Sequence, residues 1–230
     1  MDIEKKSGFL LLNKPTGPTS HDMVYKLRKI TGIKKIGHAG TLDPFASGLL
    51  IMAIGRESTK QISKYVKLDK EYIATLYLGA TSTTHDPEGE ITKKPGFGYP
   101  KPGFNAEEIK KVLEKFKGEQ KQIPPMFSAK KVKGKKLYEL ARKGIEIKRE
   151  AVDINIKNLE LLEYKWPELE LKIKCSSGTY IRSLAYDIGE ALRTGAYLTV
   201  LERISIGEFL LNKSCKIEEL NEDNWEGFLV

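Results

Sequence analysis

The sequence predicts an α+β protein with a mixed, largely antiparallel central sheet flanked by helices. Two strand-like runs, Val152 to Tyr164 and Glu168 to Cys175, are separated only by Lys165-Trp166-Pro167. A link that short joins antiparallel neighbours, because parallel strands need a long crossover. The run Leu49 to Ile54 is apolar without alternation, as expected of a core strand. Other stretches carry apolar residues at helical spacing, which places helices between the strands.

In chain order, Phe9 to Leu12 reads as a short buried strand closed by Asn13-Lys-Pro-Thr-Gly-Pro-Thr-Ser20, where Pro15, Gly17 and Pro18 forbid regular structure. Thr19 or Ser20 then caps a helix through Thr31, with Met23, Val24, Leu27 and Ile30 on one face and Gly32 beyond its end. Gly37 to Leu50 reads as a tight loop feeding the Leu49 to Ile54 strand. Glu71 to Gly79 alternates as a strand with little polar character, and Ala80 to Gly103 is a loop rich in Thr, Asp, Pro and Gly. Asn105 caps a helix to about Lys117, carrying Ile109, Val112, Leu113 and Phe116. In the second hairpin strand Leu169, Leu171, Ile173 and Cys175 alternate with Glu168, Glu170, Lys172 and Lys174, so one face meets water. Ile181, Leu184, Ala185, Ile188 and Ala191 form a helical stripe with Thr179 as the expected N-cap and Gly195 past the end. A last strand is expected over Thr199 to Phe209, followed by a tail with five acidic residues against one lysine.

Composition narrows the function classes. The chain has 230 residues, 40% hydrophobic and 30% charged, as in a soluble globular domain. Four apolar residues, Phe9 to Leu12, make no signal peptide, and no run approaches the roughly 20 residues of a membrane span. Cys175 and Cys215 lack partners at ligand spacing, and only His21, His38 and His85 are present, so neither a metal site nor a disulfide is expected. The formal charge is +8, and Lys121 to Arg149 holds ten basic residues against Glu139 and Glu146. A charge excess confined to one segment predicts a polyanion-binding site. Interrupted by Gly134 and Gly144, with a short helix near Lys135 to Arg142, this segment reads as a mobile arm.

Two residues suggest chemistry. Pro44 biases Asp43 toward extended geometry, and Gly40 and Gly48 permit unusual backbone shapes nearby. A carboxylate fixed on a loop beside a core strand can serve as nucleophile or base, though Asp-Pro is also ordinary turn chemistry. Arg182 falls in the first turn of its helix, where a cation is disfavoured by ~0.3–1 kcal/mol. A locally unfavourable cation implies a functional role or a buried acidic partner.

The Asn13–Ser20 loop, Gly37-His-Ala-Gly-Thr-Leu-Asp-Pro-Phe-Ala-Ser-Gly-Leu-Leu50, the Tyr72 strand, Gln122-Ile-Pro-Pro-Met-Phe-Ser-Ala-Lys-Lys131 and Gly178-Thr-Tyr-Ile-Arg-Ser-Leu-Ala185 together resemble the TruB-type tRNA pseudouridine synthases, in the family's order. The resemblance implies the pseudouridine synthase fold and a cofactor-free, metal-free isomerisation of the T-loop uridine at tRNA position 55. It implies catalytic roles for Asp43, for Arg182 as its paired cation, and for Tyr72 as the stacking floor and proton acceptor at C5. His38 matches a wedge that fills the T loop after the base leaves, Lys14 and Pro15 match a brace, and Leu201 matches an apolar residue lining the base pocket. Lys130, Lys131, Lys133 and Lys135 are expected to hold phosphates. Residues 1–215 then form the catalytic domain, with 121–149 as an inserted basic arm and 216–230 as a short acidic tail. The expected partner is the tRNA T-arm stem-loop, bound by a cytoplasmic monomer with no obligatory protein partner and no membrane attachment. A dyskerin-type protein shares the catalytic motifs but relies on a PUA module, which this sequence is too short to supply, leaving more of the binding to the arm. A non-catalytic tRNA-binding or tRNA-folding chaperone is the alternative from another class.

Overall fold

The computed structural model describes residues 7–94, 105–128, 131, 132, 134–141, 144, 145 and 147–230. The chain begins with β1 (Gly8–Lys14), α1 (Ser20–Thr31), β2 (Ile36–Ala39), β3 (Ser47–Ile54), α2 (Arg56–Val66) and β4 (Lys70–Leu78). There follow β5 (Ala80–Ser82), β6 (Ile91–Lys93), α3 (Ala106–Glu114), β7 (Gly118–Gln122), β8 (Lys131–Val132), β9 (Lys135–Lys136) and α4 (Leu137–Ala141). The rest comprises β10 (Val152–Lys165), β11 (Glu168–Cys175), α5 (Ile181–Ala191), β12 (Ala196–Ile206), β13 (Phe209–Leu210) and β14 (Cys215–Lys216). Two compact units result, Met1–Ile73 with Leu201–Val230, and Ala74–Val200.

In the first unit β3 pairs antiparallel with β1 and β2, and parallel with β12 at Glu202 and Arg203. β14 adds in parallel to β1. β3 is buried on both faces, as its unbroken apolar run requires. Met23, Val24 and Leu27 of α1 pack on one face, against Leu10, Leu12, Leu50, Met52 and Ile54. Ile62 and Tyr65 of α2 cover the other, against Leu11, Leu49 and Ile51. Thr19 and Asp22 form a reciprocal capping box for α1, and Gly32 ends it at a φ of 64°.

The second unit is built on β10, which pairs antiparallel with β11 and β7. Its core joins Ile154, Ile156 and Leu159 of β10, Leu169, Leu171 and Ile173 of β11, Ile109 and Leu113 of α3, and Ile181, Leu184 and Ile188 of α5. α3 begins with the expected Asn105 cap, completed by Glu108. The sheets are thus mixed but largely antiparallel, with helices against them.

Several expectations need correction. Gly37 to Ala39 is strand β2, not loop, because its backbone pairs with Ala53 to Ile51. α2 has no counterpart in the sequence reading: its N-cap is Gly55, with no side-chain cap, and its sequence is mostly polar. The Ala80 to Gly103 segment contains the β5–β6 hairpin, and its residues 95–103 lie outside the described ones. Lys121 and Gln122 belong to β7 rather than to a free arm. The arm's short helix covers Leu137–Ala141, and Arg142 lies outside the described residues.

Thr179 does not cap α5. Its hydroxyl donates to the Ser176 carbonyl at 2.9 Å, and the helix starts one residue later with Tyr180 at the cap position. The Gln122 amide takes over the task, accepting from Tyr180 N at 2.8 Å and donating to Tyr180 O at 3.0 Å.

The acidic C-terminal segment is ordered. Ile217, Leu220 and Trp225 are buried in the α1 core, and Val230 N donates to Phe9 O at 2.8 Å. Trp225→Ala is therefore expected to cost about 3–5 kcal/mol in urea unfolding, whereas a solvated tail would give no change.

Candidate active site

The loop bearing Asp43 is fixed through its backbone on every side. The Gly40 carbonyl accepts from Arg203 Nη2 at 3.0 Å. The Ser20 hydroxyl donates to Leu42 O at 3.0 Å and accepts from Leu42 N at 2.9 Å. Asp43 O receives Ala46 N at 3.1 Å, and Pro44 O receives Gly17 N at 2.8 Å. The buried Lys14 ammonium reaches the carbonyls of Pro15 at 2.9 Å, Pro18 at 2.7 Å and Pro44 at 3.3 Å. Lys14 thus clamps two loops together. Pro15 is exposed and supplies a carbonyl to that clamp, while Asp43 itself is half-buried.

Behind the loop lies Arg203 of β12, buried at 1% exposure. Its Nε donates to Leu49 O at 2.7 Å. Gly48 makes this approach possible: it lies at a φ of 105°, and a Cβ there would fall 2.4 Å from Arg203 O. Tyr72 is buried on the inner face of β4, in step with Lys70 and Ala74. Leu201 is buried on the same side of β12 as Arg203, two residues earlier.

His38 sits on β2 opposite Met52 and lines a cavity of about 370 Å³ with His21, Lys35 and Thr59. Burial pushes its pKa down to about 4, with Arg203 and then His21 acting in the same direction. Its Nδ1 is buried with no hydrogen-bond partner among the described residues. A neutral imidazole with an idle nitrogen suits a polar, uncharged base edge better than a phosphate.

In the second unit Arg182 has the acidic partner its helix position demands. Its Nη1 contacts Asp86 Oδ2 at 2.8 Å, with both side chains buried. Nη1 also donates to Thr84 O at 3.2 Å and Nη2 to Phe127 O at 2.7 Å. Asp86 is itself held by Glu88 N at 3.0 Å and by the Thr84 hydroxyl. A neighbouring cavity of about 470 Å³ is lined by Thr84, Phe127, Arg149 and the stacked rings of His85 and Tyr186. Burial and then Glu190 raise the Asp187 carboxyl in its wall to about 6.

Among the expected phosphate ligands, Lys130 and Lys133 lie outside the described residues. Lys131 and Lys135 occupy the paired strands β8 and β9, opposite Lys136 and Val132 respectively. Among the described residues no group of His, Cys, Asp or Glu could hold a metal ion, and no helix is long and apolar enough to cross a membrane.

The sequence reading passed over Arg203 and Gln122 and did not pair Asp86. A signal for Arg203 existed. Leu201, Arg203 and Ser205 share one strand face, so a cation at that parity is aimed inward. Asp86 and Arg182 are 96 residues apart, and no local pattern connects them.

In fold the chain is similar to a chain in the crystal structure of a Cbf5–Nop10–Gar1 complex, with a TM-score of 0.69, 28% identity and coverage of 92% of this chain and 52% of that one. A chain in the archaeal box H/ACA Nop10–Cbf5 complex gives 0.69 at 25% identity over 98% of this chain and 57% of that one. This chain thus spans little more than half the length of those solved chains. At the level of sequence, residues 28–181 match the TruB family pseudouridylate synthase N-terminal domain, and the chain belongs to that family. It is 48% identical over 214 residues to tRNA pseudouridine synthase B of Protochlamydia amoebophila, covering 93% of this chain and 79% of that protein. The corresponding protein of Chlamydia muridarum is 44% identical over 225 residues, covering 98% and 91%.

A free histidine titrates near 6.5. The His38 ring resonances are expected to titrate near 4 by NMR, while unfolded chain takes up its proton near 6.5. The folded state binds fewer protons in between, so His38 should withdraw stability as the pH falls from about 6.5 to about 4. His38→Gln should remove that contribution to the acid limb of urea-monitored stability.

Proposed function

We propose that the chain is a tRNA pseudouridine synthase that extrudes the T-loop uridine at position 55 and isomerises it, with Asp43 as the reacting carboxylate. It works without cofactor or metal, as a cytoplasmic monomer with no obligatory protein partner. The observation that carries this reading is the backbone clamp around Asp43. Lys14, Ser20, Gly17 and Arg203 fix the backbone on both sides of the acid, which gives its carboxylate a defined origin. Relatives of known name, 44% and 48% identical over most of the chain, support the substrate class.

In the reaction the N1–C1′ bond breaks, the uracil turns, and C5 bonds to C1′. Asp43 begins this as a nucleophile or as a base. Tyr72 supports the turned base and takes the proton from C5, and Leu201 lines the pocket. Arg182, fixed by Asp86, is assigned as the cation toward the carboxylate. Unstacking a base costs a few kcal/mol, roughly, and the neutral His38 ring offsets this by occupying the space it leaves. The arm lysines Lys130, Lys131, Lys133 and Lys135 hold phosphates without reading sequence.

Pseudouridine mapping in a T-arm stem-loop, with purified protein and no added cofactor, tests the assignment. Asp43→Asn should abolish product while tRNA affinity stays near normal. Full activity in that variant would overturn the catalytic role, and absence of product from the unaltered protein would favour the chaperone reading. Replacing the four arm lysines together by alanine should weaken tRNA binding and flatten its salt dependence by about one slope unit for each phosphate no longer held. An unchanged slope would remove these lysines from the phosphates.

A further inference from the structure

Arg182 stands in the first turn of α5, the part of a helix whose N–H groups find no acceptor within it and whose dipole opposes a cation. The cap residue, Tyr180, contributes no side-chain bond to that turn, and the Thr179 hydroxyl is committed to Ser176 O. The hold comes from β7 instead. Tyr180 is extended, at a φ of −98° and a ψ of 107°, so its N–H and C=O point to one side as in a strand. The Gln122 carboxamide meets both groups, its Oε1 accepting from Tyr180 N at 2.8 Å and its Nε2 donating to Tyr180 O at 3.0 Å. It thus supplies the pair of bonds that a neighbouring strand would exchange. Tyr180 O also accepts from Leu184 N at 3.1 Å, so the carboxamide and the first helical bond close on one carbonyl.

From Gln122 the chain runs through Ile123-Pro124-Pro125-Met126-Phe127 along the same helix. Ile123 O accepts from Ser183 Oγ at 3.3 Å, and Phe127 O accepts from Arg182 Nη2 at 2.7 Å. The two prolines between them have fixed φ, which stiffens the spacing from Gln122 to Phe127. Pro124 O accepts from Arg149 Nη1 at 3.1 Å, which ties in the far end of the basic segment. One six-residue strap therefore holds Arg182 twice, at its backbone through Tyr180 and at its guanidinium through Phe127 O. Asp86 offsets the charge, but a counter-ion does not set the point from which a side chain starts.

We propose that Gln122 is a positioning residue for the reaction: by fixing the first turn of α5 it sets the place from which Arg182 acts, and its loss slows the chemical step without weakening RNA binding. The proposal rests on the reading of Arg182 as the cation toward the reacting carboxylate given above. The task needs a donor and an acceptor in one planar group, which a carboxamide has, a carboxylate has by half and a thioether lacks. Gln122 is 3% exposed, so it acts on the helix and not on a phosphate.

The test uses the full chain and a T-arm stem-loop under single turnover, with RNA affinity measured separately. At saturating RNA, Gln122→Met should lower the rate constant per folded molecule by about ten- to a hundredfold, the scale of a misplacement of about an ångström, while the dissociation constant stays unchanged. Gln122→Glu keeps the acceptor for Tyr180 N and loses the donor, so its rate should fall between the two. A folded Gln122→Met protein with the full rate, or with a loss confined to affinity or thermal stability, overturns the proposal. If Gln122→Met does not fold, a full rate in Gln122→Glu overturns it. In the unaltered protein the Tyr180 amide hydrogen should exchange at least about a hundredfold more slowly than in an open chain, and exchange at the open-chain rate removes the grip itself. Arg182→Ala separates the two claims. Full turnover in that variant removes Arg182 as the cation, whereas an inactive Arg182→Ala beside a full-rate Gln122→Met removes only the role of Gln122.

Discussion

A cation with no water around it must find carbonyls, and the first unit is arranged around three such cations. Arg203 takes the carbonyls of Leu49 and Gly40, Lys14 takes those of Pro15, Pro18 and Pro44, and Lys70 takes those of Val66 and Leu68. Apart from Leu49, which lies within β3, these carbonyls belong to loops or to the end of α2, where no ladder supplies partners. The cations therefore do locally what a sheet ladder does elsewhere, and the loop from Gly40 to Ala46 becomes as fixed as a strand without being one. That fixity is what a reacting carboxylate needs, since small misplacements of a catalytic group are costly.

The same logic recurs in the second unit with a different counter-group. Arg182 lies where the helix dipole opposes it, and a buried carboxylate, Asp86, offsets that cost. Gln122 sets where the helix begins and so sets the height of Arg182 within it. The Gln122-Ile-Pro-Pro-Met-Phe segment thus has two structural roles, since the Phe127 carbonyl also accepts from Arg182. What looked from composition like the start of an arm is partly the mount of a buried arginine.

What the sequence disclosed follows from range. α1 and α3 were legible because their capping boxes and apolar stripes lie within a dozen residues. The Val152–Cys175 hairpin was legible because a three-residue link leaves one geometry. α2 was not, since Gly55 offers no capping side chain and its apolar contact with the core comes from Ile62 and Tyr65 in an otherwise mostly polar sequence. β2 escaped because a four-residue strand rich in small residues has too little alternation to register. In the site, Asp43 stood out through proline and glycine and Arg182 through its helix position, whereas Lys14 was marked only by the family resemblance. Asp86 and Arg203 act on groups dozens of residues away in sequence, and only the fold brings them there.

The protein's positive charge accordingly divides by environment rather than by amount. The lysines and arginines of the Lys121–Arg149 segment give it a net charge as large as that of the whole chain, and such charges answer to polyanions and to salt. Arg203 and Lys14 are fully buried, are insulated from salt, and hold backbone. Counting charges along the sequence therefore overstates how many cations can meet RNA and misses those that order the acid loop. A substitution in the first group acts on encounter and affinity, and one in the second acts on the geometry of the reacting residues. For that reason binding and turnover should separate cleanly between the two sets of cations.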